Sequence, residues 1–513
     1  MKLTSPFRPL RSPSGFLLLS LIAITLAAAR GSTHFVAPQK RIGAYAFEDA
    51  GAVLRAYVTR ISNDRSQILE FHLANPTAPG SGQTKAVAVL RKVEVFDALT
   101  GKLLRAYAPS ANIDEAPVIA NMPCQRSAGE GCGFPKAWSV GAEQLGTGFF
   151  YFVFRDSLGH VSRPVFAFVN PANSGTSQPR LGILFPDHTW QAYNLEGGQS
   201  FYHPTPADRH FRISELRPLP ALPPDLHSPE PTLALIREAK KLGYIVHGLT
   251  HTDLESGIVG HGFQALLVTG HDEYWTESER LNLVDFIRAG GNVGIFSGNT
   301  MFWRINRLEH ELLIAKRKPS ASDAATPFAD TGYFHEMPNP TGMEQISGLT
   351  FRQAGYPLQR EFDAETAAEL GVTAREYAAS SGMRVLAPAH PLFAGTDLKK
   401  GEWFGVKAAI TDYELDGRLM TAPSAATGLA PDDSTYPKPL AEGYGTRGGK
   451  IFRTALIAEN HIGQSTILHF GSIGWYQGLL AHDPAVVTIT NNALRLLMAP
   501  SAPATTPEAG SKQ

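Results

Sequence analysis

The 513 residues, 43% hydrophobic and 18% charged, describe an ordinary globular chain long enough for two or three domains. Lysine and arginine number 46 against 47 acidic residues, so no net field draws in nucleic acid or an anionic membrane surface. Two cysteines in all exclude a four-cysteine metal site and disfavour a cysteine nucleophile.

The N-terminus has the layout of an export signal: Lys2, Arg8 and Arg11, then the apolar run "GFLLLSLIAITLAAA", then small residues around Ala27 and Ala29. Residues 1–29 are expected to be a signal peptide, with an uncleaved anchor as the alternative. The mature protein is then expected to be secreted or periplasmic and off the membrane, because no other run approaches the roughly 18 apolar residues of a span. Between 36 and 172 the pattern has period two. "AVLRAYVTR", "QILEFHLAN", "KVEVFDA", "KLLRAYA", "GFFYFVFR" and "RPVFAFVN" are short runs separated by turn residues, which predicts an antiparallel, immunoglobulin-like β-sandwich. Cys124 and Cys132, in the loop "PCQRSAGEGCGFP", are expected to pair in an oxidising compartment. Both faces of "GFFYFVF" are apolar, which predicts a strand covered on both sides and leaves the Tyr151 hydroxyl in need of a partner.

After the linker "NPANSGTSQP" (170–179) the pattern changes, and residues 173–498 alternate strand and helix up to a disordered tail at 499–513. "RLGILF", "YIVHGL", "ALLVT" and "NVGIFSG" read as buried strands, "EPTLALIREAKKLG" and "TESERLNLVDFIRAGG" as helices. Thr276 with Glu279 has the spacing of a capping box, and Gly290 is placed to end that helix in the left-handed region. Aliphatic strands alternating with amphipathic helices predict a parallel sheet covered on both faces, with ligands bound beyond the carboxyl ends of its strands. Polar segments follow three of those strands: "PDHTWQAYNLEGGQSFY", "GHDEYW" and "SGNTMFWRI". Tyr193, Asn194, His271, Glu273 and Asn299 are thus expected along one rim. Singly, each has a structural reading, since asparagines hold turns and histidines cap strand ends. Glu273, flanked by apolar residues, demands a proton, a partner or a cation.

"HTWQAYNLEGGQSFY" with "ISELRP", "VTGHDEYWTESERLNLVDFIRAGGNVGIFSGNTMFWRI", "YELDG", and "ILHFGSIGWYQGL" followed by "NNALRLL" resemble the large, catalytic subunit of N,N-dimethylformamidase and its relatives, over roughly residues 149–498. The resemblance implies a three-layer, class I glutamine amidotransferase-like α/β domain preceded by a β-rich domain. It also implies hydrolysis of a small N-substituted amide at a mononuclear Fe(III) held by two tyrosines and a glutamate. Carried onto this chain, the ligands fall on Tyr151, Tyr193 and Glu273, the proton-transfer pair on His271 and Glu414, and a polar residue lining the pocket on Asn299. Phenolate and carboxylate are hard anionic donors, which suit a trivalent ion better than zinc. Asn299 is also placed to hydrogen-bond an amide oxygen as charge grows there.

Some features depart from the family pattern. The β-rich part ahead of residue 149 is too short for all accessory regions of the large subunit, and Asp272 stands where proline is frequent. The export signal suggests a different substrate, with a small amide as the expected partner. Self-association and the family's small partner subunit are left open. Two other readings stand beside this one. Covalent catalysis is disfavoured, because both cysteines lie in the sandwich half and neither "IFSGN" nor "FGSIGW" matches the serine elbow. The alternative is a secreted glycan- or protein-binding module on a relic amidase scaffold, whose sign is a missing tyrosine ligand; none is missing at the matched positions.

Overall fold

Strand Arg180–Leu184 lies between Ile245–Leu249 and Phe263–Gly270, and the sheet continues through Asn292–Ser297 to Ser465–Gly471, all parallel. This is seen in a computed structural model that describes residues 52–499 apart from 76–85, 109–116, 121–123, 125–130, 173–178, 220–225, 258–261, 319, 338–341 and 419–436. The export signal, the sandwich residues before 52, most of the linker and the tail from residue 500 therefore lie outside the described residues. Both faces of the parallel sheet are covered. On one, Leu266, Val268, Val293 and Ile295 pack with Leu283, Val284 and Ile287 of helix Glu277–Arg288. On the other, Leu267 and Gly294 approach Leu497 of helix Pro484–Leu497. Such strands read as continuous aliphatic runs because neither face meets water. Beyond Ser465–Gly471 the sheet turns antiparallel through Lys450–Ile462, Lys438–Arg447, Leu349–Pro357 and Leu415–Arg418.

Local signals set the helix that follows the third parallel strand. The Thr276 side chain accepts from the Glu279 N–H, the Glu279 carboxylate accepts from the Thr276 N–H at 2.8 Å, and Gly290 takes φ 94° beyond the last turn. A cap of this kind contributes about 0.5–2 kcal/mol. Numbered along the chain, the parallel strands run 2-1-3-4-5 across the sheet, so the order reverses between Arg180–Leu184 and Phe263–Gly270. A crevice opens at such a reversal, beyond the carboxyl ends of the two strands.

The β region packs against this sheet. Strand Gly148–Asp156 pairs antiparallel with Val165–Val169 and with Ala86–Asp97. Its Phe150, Phe152 and Phe154 enter a core with Phe71 and Trp138, while Phe149 faces the other way onto Phe168 and Phe185. The strand is thus covered on both sides. Three short pairings depart from the antiparallel pattern: Ala52–Val58 with Val161–Ser162, Val165–Val169 with Ser62–Asn63, and Ile68–Asn75 with Pro117–Ala120 are parallel. Period-two alternation dictates which face a side chain takes, not the direction of the neighbouring strand. Asn170 joins the two regions, its amide giving to Gly248 O and accepting from Gly248 N at 2.9 Å each, as a paired strand would. Arg237 Nε adds a hydrogen bond to Leu99 O at 2.8 Å. All described residues fall in one compact unit, Ala46–Gln513, and Cys124 and Cys132 form a disulfide. Among the described residues no helix is long and apolar enough to cross a membrane.

Candidate metal centre and proton-transfer pair

Tyr193 ends helix Asp187–Tyr193, which starts just after strand Arg180–Leu184, and Glu273 follows strand Phe263–Gly270. They face each other across the point where the strand order reverses. Tyr193 Oη donates to Glu273 Oε2 at 2.9 Å, and Tyr202 Oη lies 2.7 Å from Tyr193 Oη and 3.2 Å from Glu273 Oε2. Behind them Tyr274 Oη donates to Tyr202 Oη at 2.8 Å, and Lys316 Nζ donates to Tyr274 Oη at 2.9 Å. The Lys316 ammonium also sits 3.2 Å from the centre of the Tyr202 ring. Burial and the charge of Glu273 push the pKa of all three phenols well above the usual 10. Burial likewise lowers Lys316 to about 7, against the pull of Glu273.

His271 and Glu414 stand beside this cluster. His271 Nε2 is 3.1 Å from Glu414 Oε2 and 3.5 Å from Glu273 Oε2, and its Nδ1 is 3.1 Å from His227 Nε2. Burial works against a charged His271, but the contact with Glu414 and the charges of Glu414, Glu273 and Asp272 together raise its pKa. Glu273 is raised too, by burial first and by Glu414, with His271 and Lys316 opposing. Asn299 stands between the two carboxylates, its Nδ2 giving 3.1 Å bonds to Glu273 Oε1 and Glu414 Oε2. Only the nitrogen satisfies both acceptors, which settles the amide's orientation. Its backbone takes φ 53°, held by Asp416, whose carboxylate accepts from the N–H groups of Asn299 and Thr300 at 2.9 and 3.2 Å.

The turn that carries His271 and Glu273 is anchored from beneath. Asp272 Oδ1 meets His251 Nε2 at 2.9 Å, and His251 Nδ1 meets Glu279 Oε2 at 3.0 Å, all fully buried. Although burial opposes it, the two flanking carboxylates raise His251 well above its ordinary pKa, so an imidazolium clamps the turn to the first turn of helix Glu277–Arg288. His188, His251 and Glu279 also form a donor set compatible with a metal ion. The two imidazoles, however, are stacked 4.4 Å apart at 18°, so an ion in the plane of one ring lies well out of the plane of the other. Burial lowers His188 to about 3, which keeps it neutral on the charged ring.

Of the residues expected at the site, Tyr193, His271, Glu273, Asn299 and Glu414 meet in one network of hydrogen bonds and ion pairs. Tyr151 is placed on strand Gly148–Asp156, its ring 5.6 Å from Phe166, which in turn packs on Phe185. Asn194 holds a turn, giving to Gln191 Oε1 and Pro218 O and accepting from the Glu196 N–H. Trp275 and Trp475 are fully buried core residues. Sequence reasoning missed Tyr202, Tyr274, Lys316 and His227. The first two lie inside the motifs "GGQSFY" and "HDEYW", so a tyrosine count within them was the available signal. Lys316, directly after strand Glu311–Ala315, had none.

The donor set fits a hard cation. Around an ion bonded to oxygens at roughly 2.0–2.1 Å, adjacent octahedral ligands lie about 2.8–3.0 Å apart. The oxygens of Tyr193, Tyr202 and Glu273 lie 2.7–3.2 Å apart. Phenols beside a buried carboxylate ionise only where a cation supplies compensating charge. A search among curated proteins finds no match to this chain. A family model described as N,N-dimethylformamidase beta subunit-like, C-terminal, matches residues 101–486, well over half of the chain and all of the network above. The chain therefore belongs to the N,N-dimethylformamidase beta subunit-like family.

Proposed function

We propose that this chain is an exported, iron-dependent hydrolase of an amide C–N bond in a small non-peptide substrate. Its α/β region, with strand order 2-1-3-4-5 and helices on both faces, we assign to the class I glutamine amidotransferase-like type. One juxtaposition carries the reading: a phenol and a carboxylate meet at 2.9 Å across the crevice, with His271 and Glu414 at 3.1 Å alongside. Tyr193 and Glu273, with a second phenol, would hold the ferric ion. When bound, it supplies Lewis acidity that withdraws electron density from an amide carbonyl and makes water a stronger acid.

The chain's own residues do the rest. His271 Nε2 takes a proton from the attacking water and gives one to the departing nitrogen, so amide and water leave as carboxylic acid and amine. Glu414 balances the imidazolium that forms between those steps, and His227 at Nδ1 fixes the ring's direction. With a cation held there, Glu273 would weigh less on His271, which would leave the imidazole freer to act as a base. Asn299 keeps the two carboxylates apart. Its Nδ2 is also the donor we assign to the carbonyl oxygen as charge grows there. The leader segment and the Cys124–Cys132 disulfide support export.

The test is direct. Protein beginning at residue 30, produced with iron, is expected to carry about one ion per chain, to absorb visible light through phenolate-to-iron charge transfer, and to release amine from small formamides. A folded chain that takes up no iron from either ferrous or ferric salt would refute the reading.

A further inference from the structure

We infer that the substrate is an amide that also carries an aromatic group and a carboxylate, the ring resting on the Tyr413 side of the site and the carboxylate held by Arg360. The inference rests on the amide-hydrolase reading above and names the substrate class of that same site. Its ground is a wall of rings that begins at the proton-transfer pair. Tyr413 directly precedes Glu414, and its ring lies edge-on to His271 and His227, at 5.4 and 6.4 Å between ring centres. Its backbone takes φ 74°, rare for an aromatic residue, and its N–H gives to the Asp412 carboxylate at 2.8 Å. Further along stand Tyr356 and Phe351, 5.4 Å apart, and then Phe302, 5.7 Å from Phe351, whose N–H gives to Glu273 O. Tyr413, Tyr356 and Phe302 are only half-buried, so the core does not seal this wall.

Two guanidiniums attend these rings. Arg360 Cζ is 4.2 Å from the centre of the Tyr356 ring and 5.7 Å from that of Tyr413, and Arg447 Cζ is 5.4 Å from that of Phe351. Among the described residues neither arginine forms an ion pair. Attraction to a ring uses a guanidinium's charge but not its N–H donors. Arg360 gives one of these to Tyr413 O at 3.4 Å. A carboxylate suits the rest, since a guanidinium binds it through two parallel hydrogen bonds. Burial and the charge of Arg352 lower the pKa of Arg447, so cations repel one another at this end of the wall and an anion would relieve them. The charges of Glu414 and Glu273 also reach Tyr356 and Tyr413, which places wall and site in one field. That field orients the substrate: its carboxylate is repelled from Glu273 and Glu414 and drawn to Arg360, which leaves the amide at His271.

The experiment uses the iron-loaded full mature chain and two probes of one shape, N-formylphenylalanine and its neutral counterpart N-formylphenylalaninamide, with release of formate as the readout. The acid is expected to show a kcat/KM about 10–100-fold above that of the neutral probe, carried by KM. Arg360→Gln is expected to bring the two probes within a few-fold of each other by raising KM for the acid. Arg360→Lys, which keeps the charge but not the fork, is expected to regain part of the preference. Equal kcat/KM for the two probes, turnover of dimethylformamide but of neither probe, or a preference that survives Arg360→Gln overturns the inference and leaves the hydrolase reading intact. A chain that hydrolyses no amide defeats that reading, and calorimetric titration with the same probes then decides this one. Tighter binding of the acid, abolished by Arg360→Gln, upholds it, and equal binding overturns it.

Discussion

Each polar side chain at the centre is held by another polar side chain. Glu273 shows this best: it accepts from Tyr193 and Asn299 and lies 3.5 Å from His271 Nε2. Glu273 and His271 are so close that the proton of one depends on the charge of the other, and so on what else occupies the crevice. The division of labour gives a residue-scale prediction. His271→Ala removes the proton carrier and none of the oxygen donors, so iron content should stay at the wild-type level while kcat falls by about 10²–10⁴-fold. Metal analysis beside steady-state amide hydrolysis checks it, and loss of iron together with activity would move His271 from proton transfer to ligation. At this scale the sequence was legible where a residue follows a strand directly, as His271, Glu273 and Asn299 do. Tyr202 was not, because its place depends on how the loop after helix Asp187–Tyr193 folds back over the crevice.

Two glycines decide how one element crosses another. Strand Leu415–Arg418 and the preceding Glu414 lie across the ends of Asn292–Ser297 and Ser465–Gly471, close enough that backbone meets backbone. A Cβ on Gly298 would stand 2.3 Å from Glu414 O, and one on Gly471 would stand 2.3 Å from Asp416 O. Ile473 N completes the crossing with a 3.2 Å bond to Glu414 O. The glycines of "SGN" and "FGSIGW" thus act by absence, letting Glu414 reach His271 and Asp416 reach Asn299. Gly298→Ala should push the Glu414 segment outward, costing about 1–3 kcal/mol of stability as overpacking does, and lower kcat with iron still bound. Denaturant melts and iron analysis test this. A variant with unchanged stability and activity would show that the crossing tolerates a methyl group. The buried clamp of Asp272, His251 and Glu279 works at the same scale, tying the turn to its helix. Asp272 in place of a frequent proline is intelligible here, since the turn is held by an ion pair rather than by a rigid ring.

For the whole molecule, acid is the informative stress. His247, on strand Ile245–Leu249, is 4% exposed, and burial together with the charge of Arg180 lowers its pKa to about 4. The unfolded chain takes a proton there near pH 6.5 and the folded chain only near 4, so between those values unfolding binds protons and stability falls as pH falls. Above about 6.5 the group contributes no pH dependence. His247→Gln should therefore flatten the decline of Tm between pH 6.5 and 4 and leave the neutral melting profile's slope with pH unchanged. Parallel wild-type and variant curves would assign the acid loss elsewhere, as to His335, which burial also lowers to about 4.

What the sequence determined by itself was local. Period-two and helical spacing, the Thr276 and Glu279 cap and polar residues after aliphatic runs follow from neighbours within a few positions, so strands, helices and the rim could be read directly. Only the tertiary structure decided that strand order reverses between Arg180–Leu184 and Phe263–Gly270, that Glu414 crosses to His271 over a glycine, and that Tyr202 meets Tyr193 and Glu273. Those are contacts between residues far apart along the chain or across a folded loop, set by packing rather than by spacing.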